Sequence, residues 1–347
     1  MKHSLLKFLA CPNCNASQFT VEAHKTTTSQ ICSSHINPNH INDGIDLDGA
    51  VEQEIVEGAL HCGTCDTIYL ITDGIPRMLL DNTESSRSAH QLTSIGEDTS
   101  VWERHFLELS EPRTRNDYLG KTVLDAGCGY GRHAYYAARF GAEVIAIDSS
   151  ADAVEATKRN CASYRNVHVI QADAAHMPLK DQSVDIVYAY GLLHHVEDPN
   201  AILSAMDLAL KSGGSLSVWV YGPRQGLTLM INNALRGATT NMTHDQLLSL
   251  SKGIARGLRV FSHTPYMLLQ TVPVARQVVS HLPVHDHYQW PFDVVVADVY
   301  DRLRVPVLHW FTGETIERWY GDHGYANFDV RRVVRNNETF IGHGTKR

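Results

Sequence analysis

The sequence predicts an α/β fold built on a mainly parallel sheet, preceded by a small cysteine-rich module and interrupted by a helical insert. Three observations carry this expectation. Short apolar runs alternate with helical stripes between residues 121 and 221, a glycine-rich turn follows the first run, and acids stand at the ends of the first three. Alternation of this kind requires crossover connections and a parallel sheet, and ligands of such sheets bind beyond the carboxyl ends of the strands.

The 347 residues leave room for two or three packed units. At 43% hydrophobic and 20% charged residues the chain reads as globular. No stretch approaches the 18 or so uncharged apolar residues of a membrane span, so no membrane association is expected. Thirty Lys and Arg against 38 Asp and Glu give a net charge of -8, which argues against a surface given over to nucleic acid. Residues 5–11 superficially resemble a lipoprotein signal, but Lys7 interrupts an already short apolar run. Seven scattered cysteines, an odd number, do not make a disulfide framework, and a reducing cytoplasm is the expected compartment.

The first module is expected over residues 1–80. Cys11-Pro12-Asn13-Cys14 and Cys62-Gly63-Thr64-Cys65 are two C-x-x-C knuckles 47 residues apart. Four thiolates in such pairs close tetrahedrally on zinc, whereas the bland alternative is two unrelated reduced pairs. Residues 24–50 read as an excursion between the knuckles, in which Cys32 and His35 stand at C-x-x-H spacing and could serve a second ion. Asp73-Gly74-Ile75-Pro76 predicts a tight turn with an extended exit. The phrases at 6–14, 57–65 and 69–79 resemble the small zinc-ribbon-like family that includes the activator subunit of eukaryotic tRNA methyltransferases. The resemblance covers about 80 residues and implies structural Zn(2+) on Cys11, Cys14, Cys62 and Cys65, with a protein partner conceivable through this module.

A polar stretch with a short helical stripe, 81–120, links the module to the core. Residues 121–132 predict a buried strand, a glycine turn and the start of a helix that Gly141 stops. A dinucleotide G-x-G-x-x-G beginning at Gly127 would end at position 132, which is Arg132; the third glycine is Gly131, one place early. No phosphate-loop motif occurs. Asp125, near the end of the first strand, suits a ligand bearing an ammonium group. Asp148 ends the second strand 21 residues after Gly127, where an acid can accept two ribose hydroxyls. Ser149 or Ser150 can cap the next helix. Asp173 ends the third strand, and 184–191 is the fourth. Asp198-Pro199 opens a helix expected to end at Gly213-Gly214, followed by a fifth strand at 215–221.

These segments, with Gly191-Leu192-Leu193-His194-His195-Val196, together resemble the class I S-adenosylmethionine (SAM)-dependent methyltransferases over 121–221 and the C-terminal tail. The resemblance implies a Rossmann-like seven-stranded sheet formed by 121–221 plus 312–347, with SAM as cofactor. It places Asp125, Gly127 and Gly129 around the methionine part, Asp148 at the ribose, Asp173 at the adenine and Tyr190-Gly191 beside the sulfonium. Ala126, Cys128, Ser149 and Ala174 join the implied cofactor contacts.

Methyl transfer needs chiefly an aligned nucleophile. His194 and His195, just past the fourth strand, are candidate catalytic bases, although in the resembled family such a pair is mostly structural or contacts the cofactor. Cys128 and Cys161 could be nucleophiles; Cys128 also simply fits a crowded turn. The insert 222–311 is expected to cap the strand ends with helical stripes at 227–235 and 247–258. His281, His285 and His287 could ligate a metal but read better as rim or substrate contacts. A small-molecule methyl acceptor is the preferred substrate class. An RNA acceptor is disfavoured, because Arg331-Arg332 and Arg335 form the only dense basic spot and alternate in direction along a strand. A catalytically idle scaffold is a third reading.

Overall fold

The computed structural model describes residues 1–29, 52–80, 93, 95, 100–223, 234–282, 284–304, 309–333 and 339–347. Cys32, His35, Arg335, most of the 81–100 linker and the 227–233 stripe lie outside the described residues.

The N-terminal module is an antiparallel sheet of β1 (Phe19–Ser29), β2 (Glu52–Cys62), β3 (Ile68–Thr72) and β4 (Ile75–Pro76), in that order. The excursion read from residue 24 therefore begins inside a strand. Asp73 and Gly74 take positive φ (51° and 70°) and turn β3 into β4, as the Asp-Gly pair predicts. Alternation sets the faces of β3: Tyr69 and Ile71 are buried, Ile68 and Leu70 exposed.

This module is welded to the core. The backbone N–H of Met78 donates to Gln171 O (2.7 Å), Ala10 N–H to Pro178 O (3.0 Å) and Lys180 N–H to Phe8 O (2.8 Å). Arg77 reaches Gln171 (3.1 Å) and Glu155 (3.2 Å). Leu5, Leu9, Ile55, Leu60 and Met78 fall in one hydrophobic cluster with Ile145, Ile170 and Leu179. Each such buried side chain contributes about 1.5–3 kcal/mol, so apolar burial holds the module against the core.

After α1 (Ser100–Ser110) the core alternates β5 (Thr122–Ala126), α2 (Arg132–Arg139), β6 (Glu143–Asp148), α3 (Ala151–Asn160), β7 (Val167–Gln171), β8 (Val184–Tyr190), α4 (Pro199–Ala209) and β9 (Leu210–Tyr221). The caps act as the sequence suggests: Ser150 Oγ accepts from Ala153 N–H, and Asp198 from the amides of Asn200 and Ala201. One expectation is corrected. Helix α4 ends at Ala209, and Gly213-Gly214 instead form a bulge within β9, which pairs Val184 with Leu210 but Ile186 with Ser215. A Cβ at Gly214 would lie 2.9 Å from Asp185 O, so that close approach excludes a side chain.

A helical cap follows: α5 (His244–Leu258), a π turn (Arg259–His263), α6 (Thr264–Leu269), α7 (Pro273–Val279) and α8 (Phe292–Arg304). Leu247 and Ala255 of α5 pack with Val295, Val299, Tyr300 and Leu303 of α8 in a core of their own. The tail returns as α9 (Gly313–Asp322), β10 (Tyr325–Arg332) and β11 (Thr339–Lys346). The large sheet has the order β10-β11-β9-β8-β5-β6-β7, parallel from β9 to β7, with β11 antiparallel between β9 and β10. The seven-stranded sheet is thus as expected. Among the described residues no helix is long and apolar enough to cross a membrane.

Candidate active site and cysteine cluster

A cavity of about 800 Å³ opens beyond the carboxyl ends of β5, β6 and β8. Its floor is the turn after β5. Gly127, Gly129 and Gly131 all take positive φ (77°, 56° and 82°), a region that favours glycine. A Cβ on Gly131 would stand 3.0 Å from the Thr157 Cα, and one on Gly127 3.1 Å from Leu192. The amides of Gly127 and Cys128 donate to Ile147 O, which folds the turn over the end of β6. Asp148 fixes the rest: its carboxylate accepts from Gly129 N–H (3.0 Å) and Ser150 N–H (2.9 Å). One acid therefore ties the glycine turn to the start of α3.

Gly127, Cys128, Gly129, Asp148, Ser149, Tyr190, Gly191, His194 and His195 all line this cavity. Asp125, Ala126, Asp173 and Ala174 are not part of its wall. Asp173 accepts from Ala175 N–H (2.9 Å) and pairs with His176 Nδ1 (2.8 Å). Asp125 is only 1% exposed. Burial pushes its carboxyl up to about 8, with Asp148 reinforcing the shift. The folded chain thus holds a proton that the unfolded chain has released above pH ~4, so stability falls as pH rises toward 8. Asp125→Asn, which cannot ionise, is expected to flatten that slope by on the order of 2 kcal/mol between pH 6 and 8.5. Thermal unfolding of the ligand-free variant and wild type across this range measures it.

His194 is fully buried and stacks on Tyr221 at 3.8 Å. Its Nδ1 accepts from the Tyr221 N–H at 3.4 Å. His195 is half-buried, with its ring 5.7 Å from Tyr221. Cys128 and Cys161 are poor nucleophiles, because burial drives both thiols upward.

The roof comes from the cap, through Arg236, Met242, Leu247, Trp290, Asp298 and Asp301 among others. Burial and the neighbouring charges of Asp298 and Asp148 push Asp301 up to about 8. Arg132 and His133 belong to the wall as well but were missed from sequence; their place at the first helical positions after a glycine turn was the available signal. Arg132 lies 4.6 Å from the Trp102 ring and 5.7 Å from that of Trp290, joining α1, the glycine turn and the cap. His133 is held neutral by burial and the adjacent Arg132.

The second cluster is in the N-terminal module, where the Sγ atoms of Cys11, Cys14, Cys62 and Cys65 lie within 4.8 Å of one another. Cys11 and Cys65 are 3.7 Å apart, Cys14 and Cys62 3.6 Å. A tetrahedron with metal–sulfur bonds of about 2.3 Å has sulfur–sulfur edges of about 3.8 Å, so the four thiols fit zinc. Both knuckles close on a left-handed residue, Asn15 (φ 59°) and Asp66 (φ 57°), types that tolerate it. The Thr67 hydroxyl, 3.1 Å from Cys65 Sγ, and the Thr67 amide draw that thiol down to about 6. Among the described residues no other group of three or more His, Cys, Asp or Glu could hold a metal. His281 and His285 bond the carbonyls of Gln277 and Leu282, while His287 stacks on Trp290 at 3.5 Å.

Residues 124–218 match the methyltransferase domain family and residues 2–74 the Trm112p-like protein family. A ubiquinone biosynthesis O-methyltransferase of Xanthomonas euvesicatoria is 38% identical over 109 residues, 30% of this chain and 44% of that protein. A malonyl-[acyl-carrier protein] O-methyltransferase of Xylella fastidiosa is 28% identical over 144 residues, 40% of this chain and 47% of that protein. The chain thus spans about half the length of the curated relatives it matches. The crystal structure of a putative SAM-dependent methyltransferase from Listeria monocytogenes aligns over 72% of this chain and 99% of its own, with 20% identity and a TM-score of 0.42. The segment from β5 into β9, with its glycine turn, thus carries a methyltransferase-family domain, and the N-terminal sheet with its four cysteines a Trm112p-like module.

Proposed function

We propose that this chain transfers a methyl group from SAM to an oxygen or nitrogen of a small molecule by in-line displacement. The observation that carries the reading is the Asp148 carboxylate bonded to the Gly129 and Ser150 amides at the floor of a roofed cavity. The carboxylate lines the cavity, where an acid at the end of the second strand is placed to accept ribose hydroxyls. The glycines of the turn line the same cavity as Asp148. When bound, SAM supplies the electrophilic methyl carbon. In this assignment the glycine turn and Gly191 hold the methionine part, Asp148 and Ser149 hold the ribose, and Tyr190 and Trp219 wall the reacting centre.

Between the two histidines, His195 is the better proton acceptor, since the His194 ring is stacked and its Nδ1 faces a backbone N–H. His195→Gln is expected to lower kcat about 10-fold or more while leaving the Kd for S-adenosylhomocysteine within 2-fold; steady-state kinetics and calorimetry separate the two. The four cysteines are assigned to structural zinc.

The cap supports a small acceptor over RNA. A roofed cavity of this size falls in the range of small-molecule sites. The basic spot is also engaged within the chain: Arg331 pairs with Glu111, and Arg332 lies 5.8 Å from the Phe340 ring. The test is to incubate the chain with methyl-tritiated SAM and a cell extract divided into small-molecule and RNA fractions. Label in the small-molecule fraction supports the reading, and label confined to RNA overturns it.

A further inference from the structure

The cap carries a surface that the cavity does not use. Exposed apolar side chains concentrate on one helical hairpin: Val260 (60%), Phe261 (76%), Leu268 (65%), Val274 (77%) and Val278 (70%). From the π turn through α6 these are spaced i, i+1, i+8, with the also exposed Met267 at i+7, which is one face of a helix. Val274 and Val278 repeat the pattern at i, i+4 on α7. The hairpin's contacts are chiefly internal or with the 285–289 turn, so it projects from the cap. Apolar clusters of this kind mark contact sites on proteins that otherwise cover theirs.

Charge indicates what the hairpin meets. Residues 246–285 contain no Asp or Glu and four Lys or Arg, in a chain whose net charge is -8. Arg259 turns inward to the carbonyls of Tyr288 and Trp290. The exposed Arg256 lies one turn before Val260 on the same face and Lys252 one turn before that, whereas Arg276, two residues from both Val274 and Val278, is on the other face of α7. Apolar side chains at a projecting tip with cations along their flank form the pattern of an element lying in a lipid interface and drawn to anionic head groups. We propose that the 256–278 hairpin docks this protein peripherally on an anionic membrane surface. This does not rest on the methyl-transfer reading and requires no spanning helix.

The test is co-sedimentation of the full chain with phosphatidylcholine vesicles with and without 30 mol% phosphatidylglycerol, at low and high salt. Wild type is expected to sediment with the anionic vesicles and to be released by salt. The double variant Phe261→Ser, Leu268→Ser, whose side chains are exposed, is expected to partition at least 10-fold more weakly while keeping its thermal unfolding midpoint. Lys252→Glu with Arg256→Glu should remove the preference for phosphatidylglycerol. No sedimentation of wild type, or equal sedimentation of the apolar double variant, overturns the proposal. So does a wild-type dimer, seen by light scattering without vesicles, that the same double variant dissociates, because the face would then serve self-association.

Discussion

Asp148→Ala is expected to raise the Kd for S-adenosylhomocysteine by about 100-fold or more. The carboxylate accepts two backbone N–H bonds, from Gly129 and Ser150, that shape the glycine turn and the start of α3. In the proposed assignment the same carboxylate also holds two ribose hydroxyls; bonds to a charged acceptor contribute roughly 1.5–3 kcal/mol each, and losing those two from the complex exceeds the 2.7 kcal/mol or so that corresponds to 100-fold. Asp148→Asn separates the contributions: its amide oxygen can still accept one of the N–H bonds, so the turn is partly retained and the affinity loss should be smaller. Titration calorimetry measures both variants, and an unchanged Kd in Asp148→Ala would remove Asp148 from the cofactor site.

Cys62→Ser is expected to destabilise the whole chain and not the N-terminal module alone. Its thiol lies 3.6 Å from Cys14 and belongs to the cluster assigned to zinc. Structural zinc binding is folding free energy, about 10–16 kcal/mol in isolated finger peptides. Here the module runs along β7 through Met78 and shares a hydrophobic cluster with β6 and β7. The variant should therefore lose metal, drop by more than 10 °C or so in Tm, and unfold the cofactor core in the same transition. A separate low-temperature transition that leaves S-adenosylhomocysteine binding intact would show that the two units fold independently.

Much of this arrangement was legible in the sequence because it is local. The alternation of strand and helix, the caps at Ser150 and Asp198, the turn at Asp73-Gly74 and the glycine turn each depend on a few neighbouring residues. The expected cofactor residues at the ends of β6 and β8, Asp148, Ser149, Tyr190 and Gly191, converge on one cavity for the same reason: parallel strands in register bring their ends together.

What the sequence concealed depends on distant contacts. Asp125 is an acid at the end of an apolar strand, and nothing nearby in sequence says that it will be almost fully covered. Asp173 has the spacing of a ligand contact, but its carboxylate is engaged by Ala175 and His176 just after β7. Gly213-Gly214 read as a helix stop because glycine serves both ends and bulges, and only the close approach of Asp185 decides between them. The seating of the N-terminal module on β7 arises between segments some 90 residues apart, Arg77 and Gln171, and leaves no periodic trace. Arg132, Trp290 and Trp102 likewise meet from three separate segments.

The central claim, a cofactor-binding methyltransferase core held by a metal-bound module, is tested most directly by native mass spectrometry of the full chain with and without S-adenosylhomocysteine. The expected spectrum shows one zinc per chain and a saturable one-to-one adduct that Asp148→Ala abolishes. Zinc without any adduct would contradict the assignment of the cavity, and a chain that binds the ligand but carries no metal would contradict that of the four cysteines.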